Sequence, residues 1–359
     1  MGGYKLKLNF KNIFIVTVIS VVAIIVVITI FDGVLNQRQE PRRSFVVENG
    51  KPMLGFCVDA MVIERWQKDI NIVKTKAEEL GFQVEVVNAY ESGEKQIEQI
   101  RSLVKEGAVA IFVLPYDKDG LSEVIAEAKK EGVIIISYDR LIANADVDAY
   151  VSFDNVAVGE YMASALIEKA PTGNYVIING SKLDHNAYMF NEGYYNVLQP
   201  YIDAEEITII SEVWADNWRE EYAIDAVSKL LIEDVQIDAI IGANDRLAEG
   251  AISVLSEFGL VGAIPVVGHD ADVSACQKIV EGKQLMTVYK PIKNLAEGAV
   301  ELVYKMLQNQ DVIVYETIND GKFDVPFYKF DVIPVDASNM RETVIKDLFH
   351  REEDVYRQD

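Results

Sequence analysis

Cysteine, histidine and runs of basic charge are what this chain has least of. Its 359 residues hold two cysteines, Cys57 and Cys276, without CxxC or finger spacing. A disulfide framework or thiolate metal site therefore has no basis, and both read as small buried apolar residues. Three histidines, His185, His269 and His350, are scattered with no HExxH pair, so a histidine-built metal centre lacks support too. Lysine and arginine total 34 against 57 acidic residues, a net charge of −23. Such a chain repels nucleic acid, and no nucleic-acid partner is expected. There is no GxGxxG after a strand, no GxxxxGK[ST] and no GxSxG, so dinucleotide, phosphate-loop and nucleophile-elbow chemistry all lack their parts. "NGSKLD" (179–184) has too few glycines for a phosphate loop. No cofactor, catalytic group or metal is expected.

What is present begins with one long apolar run. "IFIVTVISVVAIIVVITIF", residues 13–31, carries no charge over 19 residues. At about 1.5 Å per residue it can just cross a hydrocarbon core of about 30 Å. Lys5, Lys7 and Lys11 precede it, no small-x-small site follows, and no cysteine lies nearby to take a lipid. The reading is an uncleaved transmembrane anchor, with a cleaved signal peptide as the alternative. Arg38, Arg42 and Arg43 balance the preceding lysines, so the positive-inside count is level. A short cytoplasmic tail (1–12) with the long body exported is the expected orientation. Residues 32–51, polar and basic with Pro41, read as a linker.

The body alternates apolar strands with amphipathic helices. Strand-like runs fall at 53–60, 82–89, 108–115, 133–140 and 148–154, and again at 174–180, 207–214, 237–244, 264–270 and 285–291. The helical patterns "QIEQIRSLVKEG" and "LSEVIAEAKKEG" close on Gly107 and Gly132, as C-terminal glycines do. Continuous apolar strands joined by helices mean α/β architecture with parallel sheets covered on both faces. The beat occurs twice, which predicts two similar doubly wound lobes.

Ligands of such sheets bind beyond the carboxyl ends of the strands. The side chains predicted there are Asp59, Arg65, Trp66, Asp139, Arg140, Asp184, Asn186, Trp218, Asn244, Asp245, Asp270 and Lys290. Each has an ordinary explanation, since Asp and Asn after a strand often cap the next helix and tryptophan often packs in a core. Together, carboxylates, amides, cations and two indoles suit a neutral polyhydroxylated ring. Hydroxyls donate and accept at once, and the ring's C–H faces can stack on indoles.

"ERWQKD" (64–69), "YDRLI" (138–142), "SFDN" (152–155), "AND" (243–245), "GHDAD" (268–272), "MTVYKPI" (286–292) and "ETVIKDLFH" (342–350) resemble the bacterial periplasmic sugar-binding proteins of the ribose-binding class, the D-xylose binders in particular. The resemblance covers nearly everything after the linker. It implies a two-lobed periplasmic-binding-protein fold with three crossings, near 153–154, near 289–290 and within 319–329. The lobes would be 52–153 with 291–320, and 154–290 with 321–345, leaving 346–359 as a solvated acidic tail. It also implies a pentose held by Arg65, Trp66, Asp139, Arg140, Asn186, Trp218, Asn244, Asp270 and Lys290, with Trp66 and Trp218 as opposed stacking faces. His269 and His185 stand where the family pattern has a glutamine and an asparagine. With an anchor in place, the expected role is a D-xylose sensor signalling to a membrane histidine kinase. The alternative is the binding subunit of an ABC importer, with a permease as partner. Repressors of the same fold need an N-terminal helix-turn-helix, where this chain has its apolar span.

Overall fold

A computed structural model describes residues 50–61 and 64–357. The apolar run at 13–31, and with it the expected anchor, lies outside the described residues. Among those described, no helix is long and apolar enough to cross a membrane.

The first sheet forms where the sequence is most uniformly apolar. Strands β1 (Met53–Val58), β3 (Ala108–Val113), β4 (Ile134–Tyr138) and β5 (Ala149–Phe153) are almost wholly buried, as parallel strands covered on both faces must be. With β2 (Gln83–Asn88), β11 (Glu316–Asn319) and β12 (Asp324–Phe330) they make seven strands in the order β11-β12-β5-β4-β3-β1-β2. All pairings are parallel except the β11–β12 hairpin at one edge. Helices α2 (Gly93–Lys105) and α3 (Ser122–Lys130) pack on each other, as do α1 (Glu64–Glu79) and α9 (Ile292–Leu307). Gly107 and Gly132 follow α2 and α3 at φ 91° and 82°, the left-handed geometry that terminates a helix without a Cβ clash.

The second sheet is smaller: β6 (Gly173–Asn179), β7 (Ile207–Trp214), β8 (Ala239–Gly242) and β9 (Val266–Val267), ordered β7-β6-β8-β9 and all parallel. Helices α4 (Asn155–Lys169) and α5 (His185–Asp203) pair beside it, as do α6 (Glu221–Ile232) and α7 (Asp245–Glu257). Helix α8 (Val273–Val280) follows the loop after β9. The run at 285–291, expected as a further parallel strand, instead gives β10 (Thr287–Tyr289), paired antiparallel with β13 (Ile333–Val335). One parallel bridge, Val267 to Met286, joins this pair to the main sheet.

Two boundaries differ from expectation. The segment 319–329 is not a crossing: β12 pairs in register with β5, Phe330 opposite Phe153, so the first lobe keeps the chain through Phe330. The return to the second lobe falls between β12 and β13. Apolar Val325 and Phe327, facing Tyr150 and the first core, make this edge strand worth burying. The end of the chain is also not a detached solvated tail. Val355 is 1% exposed in a core with Ala271, Cys276, Tyr289, Met340 and Val344, and Gln277 Nε2 donates to the Asp354 carbonyl at 2.6 Å. His350 Nε2 lies 2.7 Å from the Ala271 carbonyl oxygen. The charges of this segment face out while one side of it seals the second lobe. Both cysteines are buried thiols outside any disulfide, and burial pushes the Cys57 thiol up to about 12.

Candidate ligand-binding site

The carboxyl ends of both sheets face one cleft. Its floor is a chamber of about 280 Å³ lined by Arg65, Trp66, Asp139, Arg140, Asp184, Asn186, Phe190, Trp218, Asn244, His269, Asp270 and Lys290. All nine residues that the resemblance implies as pentose ligands are among them, while Asp59 and Asp245 of the strand-end set are not. An outer chamber of about 430 Å³, reaching Asp59, Glu91, Tyr116, Ser181, Asn217 and Arg246, shares Trp66, Arg140, Asp184 and Trp218 with it.

The first lobe contributes a lattice of ion pairs. Arg65, on the first turn of α1, places Nη2 2.7 Å from Asp139 Oδ2 and 3.4 Å from Asp69 Oδ1. Asp69 also accepts from the Tyr138 hydroxyl at 2.6 Å. Arg140 Nη1 donates to Asp59 Oδ2 at 2.6 Å, while its Nε reaches across the cleft to Asp184 Oδ2 at 2.7 Å. Asp139 has φ 62°, uncommon for a residue with a Cβ. Its carbonyl accepts from Tyr150 Oη, Ser152 Oγ and Asn186 Nδ2 at 3.0, 2.5 and 3.1 Å, which holds that conformation in place. Burial opposes charge on both arginines, yet Asp139 and Asp69 raise Arg65 and Asp184 and Asp59 raise Arg140, so both stay protonated. Burial raises Asp59 and Asp184 against the pull of Arg140. It lifts Asp69 to about 6.

The second lobe contributes rings and amides. Asp184 caps α5 through the Asn186 amide, and Asn244 caps α7 through the Leu247 amide, so both do helix-end duty and still line the cleft. Asn186 Nδ2 bridges to Asp139 Oδ1 at 3.2 Å. Phe190, one turn after Asn186 on α5, meets Trp218 edge-on at 6.3 Å and His269 at 4.4 Å. Trp218 sits close to the backbone at Gly180, where a Cβ would lie 2.2 Å from the ring. Only glycine leaves room for the indole there. Trp66, on the opposite wall, has the Arg65 guanidinium 4.4 Å from its ring centre.

Asp270 is surrounded rather than bonded. His269 Nε2, Lys290 Nζ and Arg65 Nη1 stand 3.5, 3.6 and 3.7 Å from its Oδ1, at or beyond the limit of a hydrogen bond. Burial would raise this carboxyl, but the neighbouring charges hold it ionised at about 2. We assign that to Lys290 and Arg65, because burial and Lys290 bring His269 down to about 3 and keep its ring neutral. Burial lowers Lys290 itself. Trp66 Nε1, Trp218 Nε1, Arg65 Nε and His269 Nδ1 are buried with no hydrogen-bond partner among the described residues. The cleft thus offers an acceptor at Asp270 and several donors to whatever enters it.

The sequence of the periplasmic binding protein domain family matches residues 54–311. This chain belongs to that family. The periplasmic binding protein described here is 41% identical over 304 residues to a D-xylose-binding periplasmic protein of Haemophilus influenzae, covering 84% of this chain and 92% of that one. The D-xylose-binding periplasmic protein of Escherichia coli is also 41% identical, over 303 residues and the same shares. Among solved structures, an ABC transporter solute-binding protein of Clostridium phytofermentans with bound β-D-glucose superposes with a TM-score of 0.78 at 27% identity. That match covers 85% of this chain and all of the other. Family membership makes this chain a binding protein and not an enzyme.

Sequence reasoning placed Asp184 at a strand end but not among the sugar-holding residues, and it missed Phe190 and His269 in the chamber and Asp69 behind Arg65. Asp69 had a signal, being four residues beyond Arg65 on a helix, where side chains meet. Phe190 stands in the same relation to Asn186. Asp184 was legible as a cap, but its pairing with Arg140 depends on the two lobes meeting.

Proposed function

We propose that this chain is an extracytoplasmic receptor for D-xylose or a closely related neutral aldose, bound between the lobes. The observation that carries this reading is the charge balance of one chamber between the lobes. Arg65, Arg140 and Lys290 are offset by Asp139, Asp184 and Asp270, with Asp59 behind. No cation there lacks a carboxylate neighbour, which disfavours an anionic ligand, while paired donors and acceptors suit hydroxyls. Trp66 and Trp218 supply flat faces for a sugar ring. The two relatives named for D-xylose support the pentose, and the glucose-bound structure supports the sugar class. Calorimetry on the full chain in detergent tests the reading. D-xylose should release heat and D-xylonate should not, and silence with xylose, ribose, arabinose and glucose alike would sink it.

The finer reading is an anchored sensor that signals sugar closure to a membrane histidine kinase, supported by the uncharged run at 13–31. A sugar can drive such a signal only by favouring the closed state. Delivery to an ABC permease is the competing fate. Affinity capture from membranes with and without xylose separates them: a kinase supports the sensor, and a permease with its ATPase but no kinase overturns it.

A further inference from the structure

The loop from Gly268 to Asp272 presents Asp270 to the cleft through unfavourable backbone. Asp270 has φ 100° and Ala271 φ 56°, both in the region that favours glycine. Something must hold two such residues in succession. The restraint lies behind the cleft, in a residue that does not line it. Asp245, at the start of α7 and 1% exposed, receives Gln284 Nε2 on Oδ1 at 2.8 Å. On Oδ2 it receives Thr287 Oγ1 at 2.8 Å and the Asp272 amide at 3.0 Å. Thr287 Oγ1, tied to Asp245 by that hydrogen bond, also accepts from the Ala271 amide at 3.1 Å. The Asp245 amide in turn donates to the His269 carbonyl at 2.9 Å. The contact is close enough that a Cβ on Gly268 would lie 2.3 Å from Asp245 Oδ1. One carboxyl group therefore fixes the loop on both sides of Asp270.

We propose that Asp245 is a positioning residue for the sugar site, setting through Thr287 and the Asp272 amide where Asp270 presents its carboxylate. This rests on the reading that Asp270 binds the sugar. It goes beyond that reading in assigning a role to a buried residue outside the chamber. The bland alternative is that Asp245 merely stabilises the second lobe.

A double-mutant cycle on the full chain, titrated with D-xylose, separates the two. Asp245→Ala alone should weaken binding at least tenfold. In an Asp270→Ala background it should weaken it less than twofold, because the group it positions is gone. Asp245→Asn, which keeps one acceptor oxygen, should recover part of the loss. If Asp245→Ala does not fold, Thr287→Val removes the relay to the Ala271 amide and runs the same cycle. Equal losses in both backgrounds would overturn the inference while leaving the sugar site standing. Wild-type affinity in Asp270→Ala would overturn the cleft assignment and this inference with it.

Discussion

The two walls of the cleft reach a fixed shape by different means. On the first lobe, Arg65 and Arg140 hang from an element end each and are fixed by carboxylates of the same lobe, Asp139, Asp69 and Asp59. On the second, Trp218 and Asp270 sit on backbone with positive φ, fixed by close contact with Gly180 and by the bonds around Asp245. One wall is ordered by charge and the other by backbone restraint. Arg140 is where they meet, since it pairs with Asp59 on its own lobe and Asp184 on the other.

Breaking that meeting point should have the largest effect. Arg140→Ala leaves two buried carboxylates uncompensated, and losing one partner of a buried pair costs about 3–5 kcal/mol. We expect xylose affinity to fall at least a hundredfold, about 2.8 kcal/mol, with a lower melting temperature. Unchanged affinity by calorimetry would show that the cross-lobe pair is not part of the binding geometry. The backbone-ordered wall is tested by Trp218→Ala and Gly180→Ala, each expected to cost at least tenfold, about 1.4 kcal/mol. The second variant keeps the indole and adds only a methyl group that would meet it at 2.2 Å. If Gly180→Ala binds like wild type while Trp218→Ala does not, ring placement on this wall is looser than the close contact implies.

This contrast also explains what was legible in the sequence. The charge-ordered wall was readable because Arg65, Trp66, Asp139 and Arg140 lie directly after apolar strands or on the first helical turn, where chemistry and periodicity coincide. The alternation that built most of the first sheet was legible for the same reason, four strand-like runs with helices between them and a fifth after a loop. The backbone-ordered wall was only half readable: Trp218 and Asp270 could be named, but nothing local marks Gly180 or Asp245 as their supports. Those contacts join residues 27 to 42 positions apart. The edge hairpin and the packed end of the chain were misplaced because both bury short, mixed segments whose apolar residues are too few to show a period. Val325 and Phe327 in β12 and Val355 near the terminus are visible as core only once the sheet they cover exists.

The charge-ordered wall also responds to pH, in stability and not in affinity. Burial lifts Asp69 to about 6 from an ordinary 3.8, against the pull of Arg65 and the Tyr138 hydroxyl. The folded chain holds this proton where the unfolded chain releases it. Its stabilising effect is therefore complete below pH 3.8 and lost as pH rises through about 6, a swing of about 3 kcal/mol. Asp69→Asn removes that titration while leaving Arg65 paired with Asp139. Denaturant unfolding at about pH 4 and 7 should show wild type losing more stability than the variant as pH rises. Parallel behaviour would mean that Asp69 stays ionised throughout and that Arg65 is held by two charged carboxylates.

The smallest expected effect lies outside the chamber, where the chain end meets the first lobe. Lys68, on α1 of the first lobe, donates to the Phe349 carbonyl at 3.3 Å and places its ammonium 4.1 Å from the Phe349 ring centre. Phe349 packs on Tyr289 and the second core. This contact joins the lobes without touching the ligand chamber, so it stabilises this arrangement of the lobes whatever occupies the cleft. A partly exposed cation–π contact is worth about 0.5–1 kcal/mol, and under the proposed closure on the sugar that energy appears in ligand affinity. Lys68→Ala should therefore weaken xylose binding about two- to fivefold, by the same factor for every sugar that binds. Loss of one sugar's affinity but not another's would place Lys68 in recognition, on the same footing as Arg65 one turn before it. A uniform loss separates the force that closes the two walls from the chemistry that distinguishes what lies between them.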